Sequence, residues 1–574
     1  MKKILLPIFA FVLAISATFI VAGCNNDSPA PTNAITISQQ PNEQIIHVGW
    51  DNTCVLDKVE ISVMHGNEVV SLKTITTSAE LLRGKTDIGA YYGKQNVKVT
   101  IYSKNKSKTT SETINVYADE YNIAPLSGSL PVLMFTLSAL DDNGLMYNSE
   151  GKAIPTFVWL DRSGAYDWAN LPQGMYPMPT ASVEDYTTPN KNRSLMYSKT
   201  AAYIKELVQI NSNSKINLFL NDFDTDQYFN LLVSTGLSSE NYTCTFISDG
   251  AFSYSIINDT FNVENATEKY NTMLTSYNKT KKQVIENGYY DYNRYFEIAG
   301  KDLQQYLLVM ANEDSNVTWW FPRLRSQHIN IPKDTTNLTQ NKILNNSGNL
   351  KEYGINTLLT NIQKNQEKVA LLKALYKFND DMFAKANEEN KKVMMLLGSW
   401  ATNETEANFV DYANFVKKYY GDEYVYYYKG HPNSPTNLYP VRAELLENMG
   451  LIDIESTIAA ELILFYFPDI YMSGYSSSTF NSIQNKEMAC AYWGSTKEQA
   501  INNASVQNGN LFDVYITPAS VHGTTYNGIL TEGHNNYIVE FSVTENYDVA
   551  VYDATLNTIT YYKQENGNFT KVEI

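Results

Sequence analysis

The sequence predicts a multidomain chain in which an all-β sandwich of immunoglobulin type precedes two Rossmann-like α/β lobes. Three observations carry that expectation. Short alternating runs between Ile35 and Tyr117, parted by turn residues, recur at a spacing of roughly ten residues. From Ile154, and again from Val393, strand-like runs alternate with helical periods, the pattern of a parallel sheet with crossover helices. Finally, 574 residues exceed what one core accommodates, and roughly 150 residues per domain gives three or four domains.

Composition narrows the function. The chain is 43% hydrophobic and 18% charged, which is globular rather than disordered or fibrous, and 42 Tyr and 23 Phe supply a large core. A net charge of −17 argues against a nucleic-acid footprint, because binding phosphate backbones needs a basic surface. Any anionic substrate must therefore be met by local dipoles and a few placed cations.

Taken in order, residues 1–24 read as a lipoprotein signal: Lys2 and Lys3, an apolar run from Ile4 to Val21, then the lipobox Val21-Ala22-Gly23-Cys24. Cys24 is the expected lipidation site, which would make the protein a membrane-anchored bacterial lipoprotein. No other apolar run approaches the ~20 residues that span a bilayer. Residues 25–34 form a tether and 35–120 the sandwich, with strands at Ile35–Ser38, Ile45–Val48, Val59–Val63, Val69–Ile75, Val97–Tyr102 and Thr113–Tyr117. Cys54, Cys244 and Cys490 are widely spaced with no CxxC, which argues against a zinc site. One disulfide stays open, although Cys244 and Cys490, in strand-like contexts, read better as buried thiols.

The first lobe is assigned to 128–380. Its strands are Phe157–Leu160, Ile216–Leu220 and Tyr242–Ile247, with helices at Ser198–Gln209 and Asp226–Thr235 and a long helix-forming region from Leu350 to Asn390. The second lobe is assigned to 381–521. It has strands at Val393–Leu397, Tyr424–Lys429 and Ile470–Met472, a helix capped by Asn403, and helices at Ile458–Phe467 and from Ser476. Residues 522–574 read as a small β appendage.

Three candidates fall at the carboxyl ends of expected strands, where α/β sheets bind ligands. Asp249 follows Tyr242–Ile247, His431 follows Tyr424–Lys429, and Ser476-Ser477-Ser478 follows Ile470–Met472. Singly each has a plain structural explanation, since Asp-Gly is a common turn and a serine before a helix a common cap. Together they make chemical sense. A carboxylate can take a proton from a sugar hydroxyl, an imidazole can give one to a departing phosphate, and serine hydroxyls at a helix N-terminus can hold phosphate oxygens. The chain has no G-x-x-x-x-G-K-[ST] loop, no G-x-G-x-x-G after the first strand and no H-E-x-x-H. Those absences speak against kinase, dinucleotide oxidoreductase and zinc protease readings.

Ser248-Asp249-Gly250, Lys429-Gly430-His431-Pro432, Pro468-Asp469 and Gly474-Tyr475-Ser476-Ser477-Ser478 resemble, in order and spacing, the bacterial sialyltransferases of glycosyltransferase family 80. Trp50-Asp51-Asn52-Thr53-Cys54 is similar to a segment of the immunoglobulin-like module that some lipoprotein members carry. The resemblance covers most of residues 45 to about 517. It implies a GT-B fold and metal-independent, inverting transfer of sialic acid from CMP-sialic acid to a galactoside, without a cofactor. On the same basis Asp249 would be the general base and His431 the general acid. Ser477 and Ser478 would hold the CMP phosphate, Glu461 the ribose hydroxyls, and Lys429, Gly430 and Pro432 would flank the donor.

The departures concentrate on the acceptor side. Asp-Asp-Gly becomes Ser248-Asp249-Gly250, the family's Asn-x-x-His becomes Asn221-Asp222-Phe223-Asp224, and the Gly-Thr-Thr-Thr-Trp loop becomes Gly398-Ser399-Trp400. Asn221, Asp224 and Trp400 are thus candidate acceptor-side residues, and a changed acceptor is expected. Two alternatives stay open at this stage: a transferase for another CMP-activated acid sugar such as Kdo, and a non-catalytic glycan-binding surface lipoprotein.

Overall fold

The computed structural model describes residues 30–574 except 143, 162–165, 180–192, 250–252, 254–264, 288–304, 323–348, 399–405, 432–439, 455, 475–478, 480–489, 497–524, 527–528, 531–534, 542–545, 548, 554–557 and 566–567. The chain divides into two compact units, one ending at Val116 and the other beginning at Tyr117. No helix among the described residues is long and apolar enough to cross a membrane.

The first unit is built on two antiparallel sheets. One contains β1 (Ile35–Gln39), β2 (Ile45–Trp50) and β5 (Lys85–Gly89); the other contains β3 (Lys58–His65), β4 (Glu68–Ile75), β6 (Gly93–Ser103) and β7 (Lys106–Val116). Alternation gives each sheet one buried face, with Ile46, Val48 and Trp50 on β2, Val59, Ile61 and Val63 on β3, and Val97, Val99 and Ile101 on β6. β5 escaped the sequence reading because Ile88 is its one buried residue, too little to establish a period. Cys54 is a free, half-buried thiol whose Sγ lies 3.4 Å from the Thr32 hydroxyl oxygen.

The second unit holds two α/β lobes. In the first, β8 (Glu120–Leu126), β9 (Thr156–Leu160), β10 (Met175–Pro177), β11 (Lys215–Asn221), β12 (Tyr242–Ile247), β13 (Val317–Phe321) and β14 (Leu350–Glu352) form a sheet in the order β10-β9-β8-β11-β12-β13-β14. Every pairing in it is parallel. The order reverses between β8 and β11, which opens a crevice at their carboxyl ends. β8 was divided by the sequence reading, which ended the sandwich at 120 and broke the pattern at Pro125. Proline is tolerated there because pairing toward β11 ends at Ile123, two residues earlier.

The second lobe repeats the logic. β15 (Lys392–Leu397), β16 (Tyr424–Lys429), β17 (Ile452–Ile454), β18 (Tyr471–Gly474) and β19 (Cys490–Thr496) pair in parallel in the order β17-β16-β15-β18-β19, so the reversal falls between β15 and β18. β16 is buried on both faces. Val425 and Tyr427 enter one apolar cluster, while Tyr426 and Tyr428 enter another with Phe409, Tyr412, Ala413 and Val416 of the helix Glu406–Tyr420. The C-terminal strands, expected as an appendage, continue this sheet. After a separate two-stranded ribbon of β20 (Thr525–Tyr526) and β21 (Ile529–Leu530), β22 (Asn535–Phe541) pairs antiparallel with β19, and β23 (Val549–Asp553), β24 (Thr558–Glu565) and β25 (Asn568–Val572) follow.

One apolar cluster spans both lobes. It joins Leu126, Phe219 and Ile247 of the first sheet, Leu133 and Leu137 of the helix Ser129–Leu140, and Met395, Leu397 and Met472 of the second sheet. The expected helical stretch Leu350–Asn390 is instead β14 followed by helices Ile355–Gln363, Gln366–Leu375 and Ala384–Glu388. Asn365 accounts for one break, because its side chain accepts from the amides of Glu367 and Lys368 and starts a new helix.

Candidate active site at the carboxyl ends of the two parallel sheets

The first-lobe residues gather at the reversal between β8 and β11. β8 ends in Ser127 and Gly128, β11 runs into Asn221, Asp222 and Asp224, and β12 delivers Ser248 and Asp249. Asn221 is spent on local architecture. Its Oδ1 accepts from the Phe223 amide at 2.8 Å and its Nδ2 donates to the Ser127 carbonyl at 2.8 Å, tying β11 to the turn after β8. Gly128 has φ +81°, and a Cβ there would meet the Asp249 carboxylate and lie 3.0 Å from Asn221 Nδ2. The missing side chain is what lets the half-buried Asp249 carboxylate stand directly over the turn.

Asp222, which the sequence reading passed over, is the most buried carboxyl of the group, 2% exposed. Its Oδ1 accepts from the Asp249 amide at 3.3 Å, and its Oδ2 accepts from Trp319 Nε1 at 3.3 Å and from the Ser253 hydroxyl. Ser248 Oγ donates in turn to Ser253 Oγ at 2.8 Å. Burial pushes Asp222 up to about 8 from 3.8, and the neighbouring Asp249 charge adds to that, while the hydrogen bond from Ser253 opposes it. Asn221-Asp222-Phe223-Asp224 closes a strand with two acids, but nothing local to the sequence marks the first of them as the buried one.

Asp224 is also buried. Its carboxylate accepts from Ser127 Oγ at 2.9 Å and Tyr197 Oη at 2.7 Å, and Arg193 Nη1 lies at 3.4 Å. Burial raises its pKa and Arg193 counteracts this. Arg193 also reaches Asp161 Oδ2 at 3.4 Å, so one guanidinium bridges the ends of β9 and β11. Neither Arg193 nor Tyr197 carried a recognisable motif.

In the second lobe His431 is half-buried and follows β16 directly. The Gly398 amide donates to the Lys429 carbonyl at 2.9 Å, which carries the β15–β16 pairing to the strand ends. A Cβ on Gly398 would sit 2.5 Å from Tyr428 Oη and 3.2 Å from Gly430 Cα, so close approach of the two strand ends demands glycine. Lys429 is 3% exposed and donates through Nζ to the carbonyls of Ser456 at 2.7 Å and Gly430 at 3.1 Å. Its ammonium thereby braces the backbone beneath His431. Glu461 is buried in the first turn of the helix Ala460–Tyr466, and its charge adds a little to the burial that raises the pKa of Tyr376.

The structure thus brings Asn221, Asp222, Asp224 and Asp249 together in one lobe, and Lys429, Gly430 and His431 at the equivalent edge of the other. Trp400, Pro432, Ser477, Ser478 and Cys24 lie outside the described residues. Among the described residues no group of three or more His, Cys, Asp or Glu side chains is arranged to hold a metal ion.

No protein-family model matches the sequence, and no curated protein does. Among solved structures, a sialyltransferase from Photobacterium damsela aligns over 78% of this chain and 89% of its own at 14% identity and a TM-score of 0.44. An α/β-galactoside α-2,3-sialyltransferase from the luminous marine bacterium Photobacterium phosphoreum aligns over 69% of this chain and 96% of its own, at 15% identity and a TM-score of 0.46. UDP-GlcNAc 2-epimerase from Neisseria meningitidis, bound to UDP-GlcNAc, aligns over 64% and 79% at 10% identity and a TM-score of 0.32. At these identities and scores the functional argument rests on the chain's own residues.

Proposed function

We propose that the chain is a glycosyltransferase of GT-B type that moves sialic acid from CMP-sialic acid to a galactoside with inversion. One observation carries this reading: a carboxylate, Asp249, and an imidazole, His431, each stand beyond the carboxyl end of a parallel strand that lies one strand away from the reversal point of its sheet. Asp249 takes the proton of the acceptor hydroxyl as its oxygen bonds to the anomeric carbon. The bond from that carbon to the CMP phosphate oxygen breaks on the opposite face. His431 gives a proton to the departing phosphate, so charge does not build up at either end of the transfer. Asn221 and Gly128 set the place of Asp249, and Lys429 braces the strand end that presents His431. Glu461, Ser477 and Ser478 are assigned to the CMP side on the sequence resemblance, as is Trp400 to the acceptor side.

The test is CMP release by the purified full chain from CMP-sialic acid with lactose and other galactosides, run beside CMP-Kdo. Release from CMP-sialic acid that depends on the galactoside supports the proposal, and release only from CMP-Kdo replaces the donor. Asp249→Ala and His431→Ala should each lower transfer by about 100-fold or more. Near-wild-type turnover in either variant removes that residue from the mechanism.

A further inference from the structure

We propose that Asp222 is a positioning residue for Asp249, holding the Asp249 main chain and the Trp319 indole through one buried carboxyl. The proposal rests on Asp249 being the base. The geometry is specific: Oδ1 receives the Asp249 amide, Oδ2 receives Trp319 Nε1 and the Ser253 hydroxyl, and the acid is 2% exposed. Three elements therefore meet on one carboxyl, namely the ends of β11 and β12 and the strand β13, with Ser253 closing the ring.

Among the described residues the charged group facing Asp222 is Asp249, with Ser248, Ser253 and Trp319 beside it, while Asp224, paired with Arg193 of the helix Arg193–Ile210, lies two residues on. Two ionised carboxylates side by side would repel, and the buried one bears the desolvation cost, so Asp222 keeps its proton to about pH 8. A neutral Asp222 leaves no second carboxylate charge beside Asp249. The hydroxyls provide the adjustment. When Asp222 is ionised, Ser248 donates to Ser253 and Ser253 to Asp222. When Asp222 carries its proton it donates to Ser253, and both serine hydroxyls rotate to pass their protons the other way. The amide of Asp249 and the indole of Trp319 donate in both states.

The experiment labels the full chain with 5-fluorotryptophan and follows the Trp319 signal against pH, assigning it among the seven tryptophans by Trp319→Phe. The expected result is a titration with a midpoint near pH 8, absent in Asp222→Asn and moved to lower pH in Asp249→Asn, where the raising charge is gone. In parallel, Asp222→Asn should lower kcat for CMP release by about 10- to 100-fold with little change in donor KM, and should remove the loss of activity at alkaline pH. A Trp319 signal that does not titrate, or titrates alike in Asp222→Asn, overturns the proposal, as does wild-type kcat in that variant. If no donor is turned over, the proposed function fails on its own. The shift in Asp249→Asn then still decides whether Asp222 and Asp249 are coupled.

Discussion

Replacing Asp222 by Asn should reverse its effect on stability between mildly acidic and mildly alkaline pH. In the folded chain Asp222 holds its proton to about pH 8, whereas its ordinary value is 3.8. Between those values unfolding releases a proton, so the stability of the wild type falls as pH rises through that window. The shift of about four units sets an upper limit of ~5–6 kcal/mol, at about 1.4 kcal/mol per pH unit. Asparagine removes the titration, but it places an amide where Oδ2 receives Trp319 Nε1, at a pH-independent cost of about 1–3 kcal/mol. The variant should therefore be the less stable protein at pH 4 and the more stable one at pH 8, with the curves crossing between about pH 4.5 and 6. The assay is urea unfolding at a series of pH values, read at the fluorotryptophan signal of residue 319. Parallel stability curves for the two proteins would refute the reasoning, because they would mean that Asp222 ionises in the folded state as it does in water.

Two further substitutions test the neighbouring architecture. Gly128→Ala forces a side chain into a backbone at φ +81° and against the Asp249 carboxylate. It should cost about 1–3 kcal/mol in denaturant stability and lower CMP release by about 100-fold, so normal turnover would show that the Asp249 position over Gly128 is immaterial. Arg193→Ala leaves the buried Asp224 without the cation that counteracts its burial. Its folded pKa should rise further, so the stability loss should be small near pH 4 and grow to about 1–2 kcal/mol at pH 8, a modest figure because the guanidinium is half exposed. A pH-independent loss would point to lost packing instead.

Much of the α/β frame could be read from periodicity. Tyr242–Ile247 alternates β-formers with no interruption, and the helix carrying Phe409, Tyr412, Ala413 and Val416 shows its apolar face at the right spacing; all four are buried. Cys244, read as a buried thiol, is one. β8 was harder, because Pro125 looks like a strand breaker until the neighbouring ladder is seen to stop at Ile123. Asp222 was harder still. Its burial is the joint product of Trp319 and Ser253, which are remote in sequence or carry no motif, and no local pattern distinguishes a buried aspartate from the caps that usually follow a strand. Lys429 illustrates the converse: a lysine beside the presented histidine invites a role in anion binding, yet its stem is enclosed and its head is taken by two carbonyls.

The continuation of the second sheet through β22 to β25 gives the last forty residues of the chain an unexpected responsibility. β19 would otherwise end the sheet with a row of unsatisfied amides and carbonyls, a template on which another chain could polymerise. β22 occupies that template from within the same molecule, and Val551 of β23 and Tyr562 of β24 anchor the added strands in the apolar cluster shared by both lobes. Shortening the chain for convenience at the end of the α/β pattern would expose a sticky border and open the interior at once.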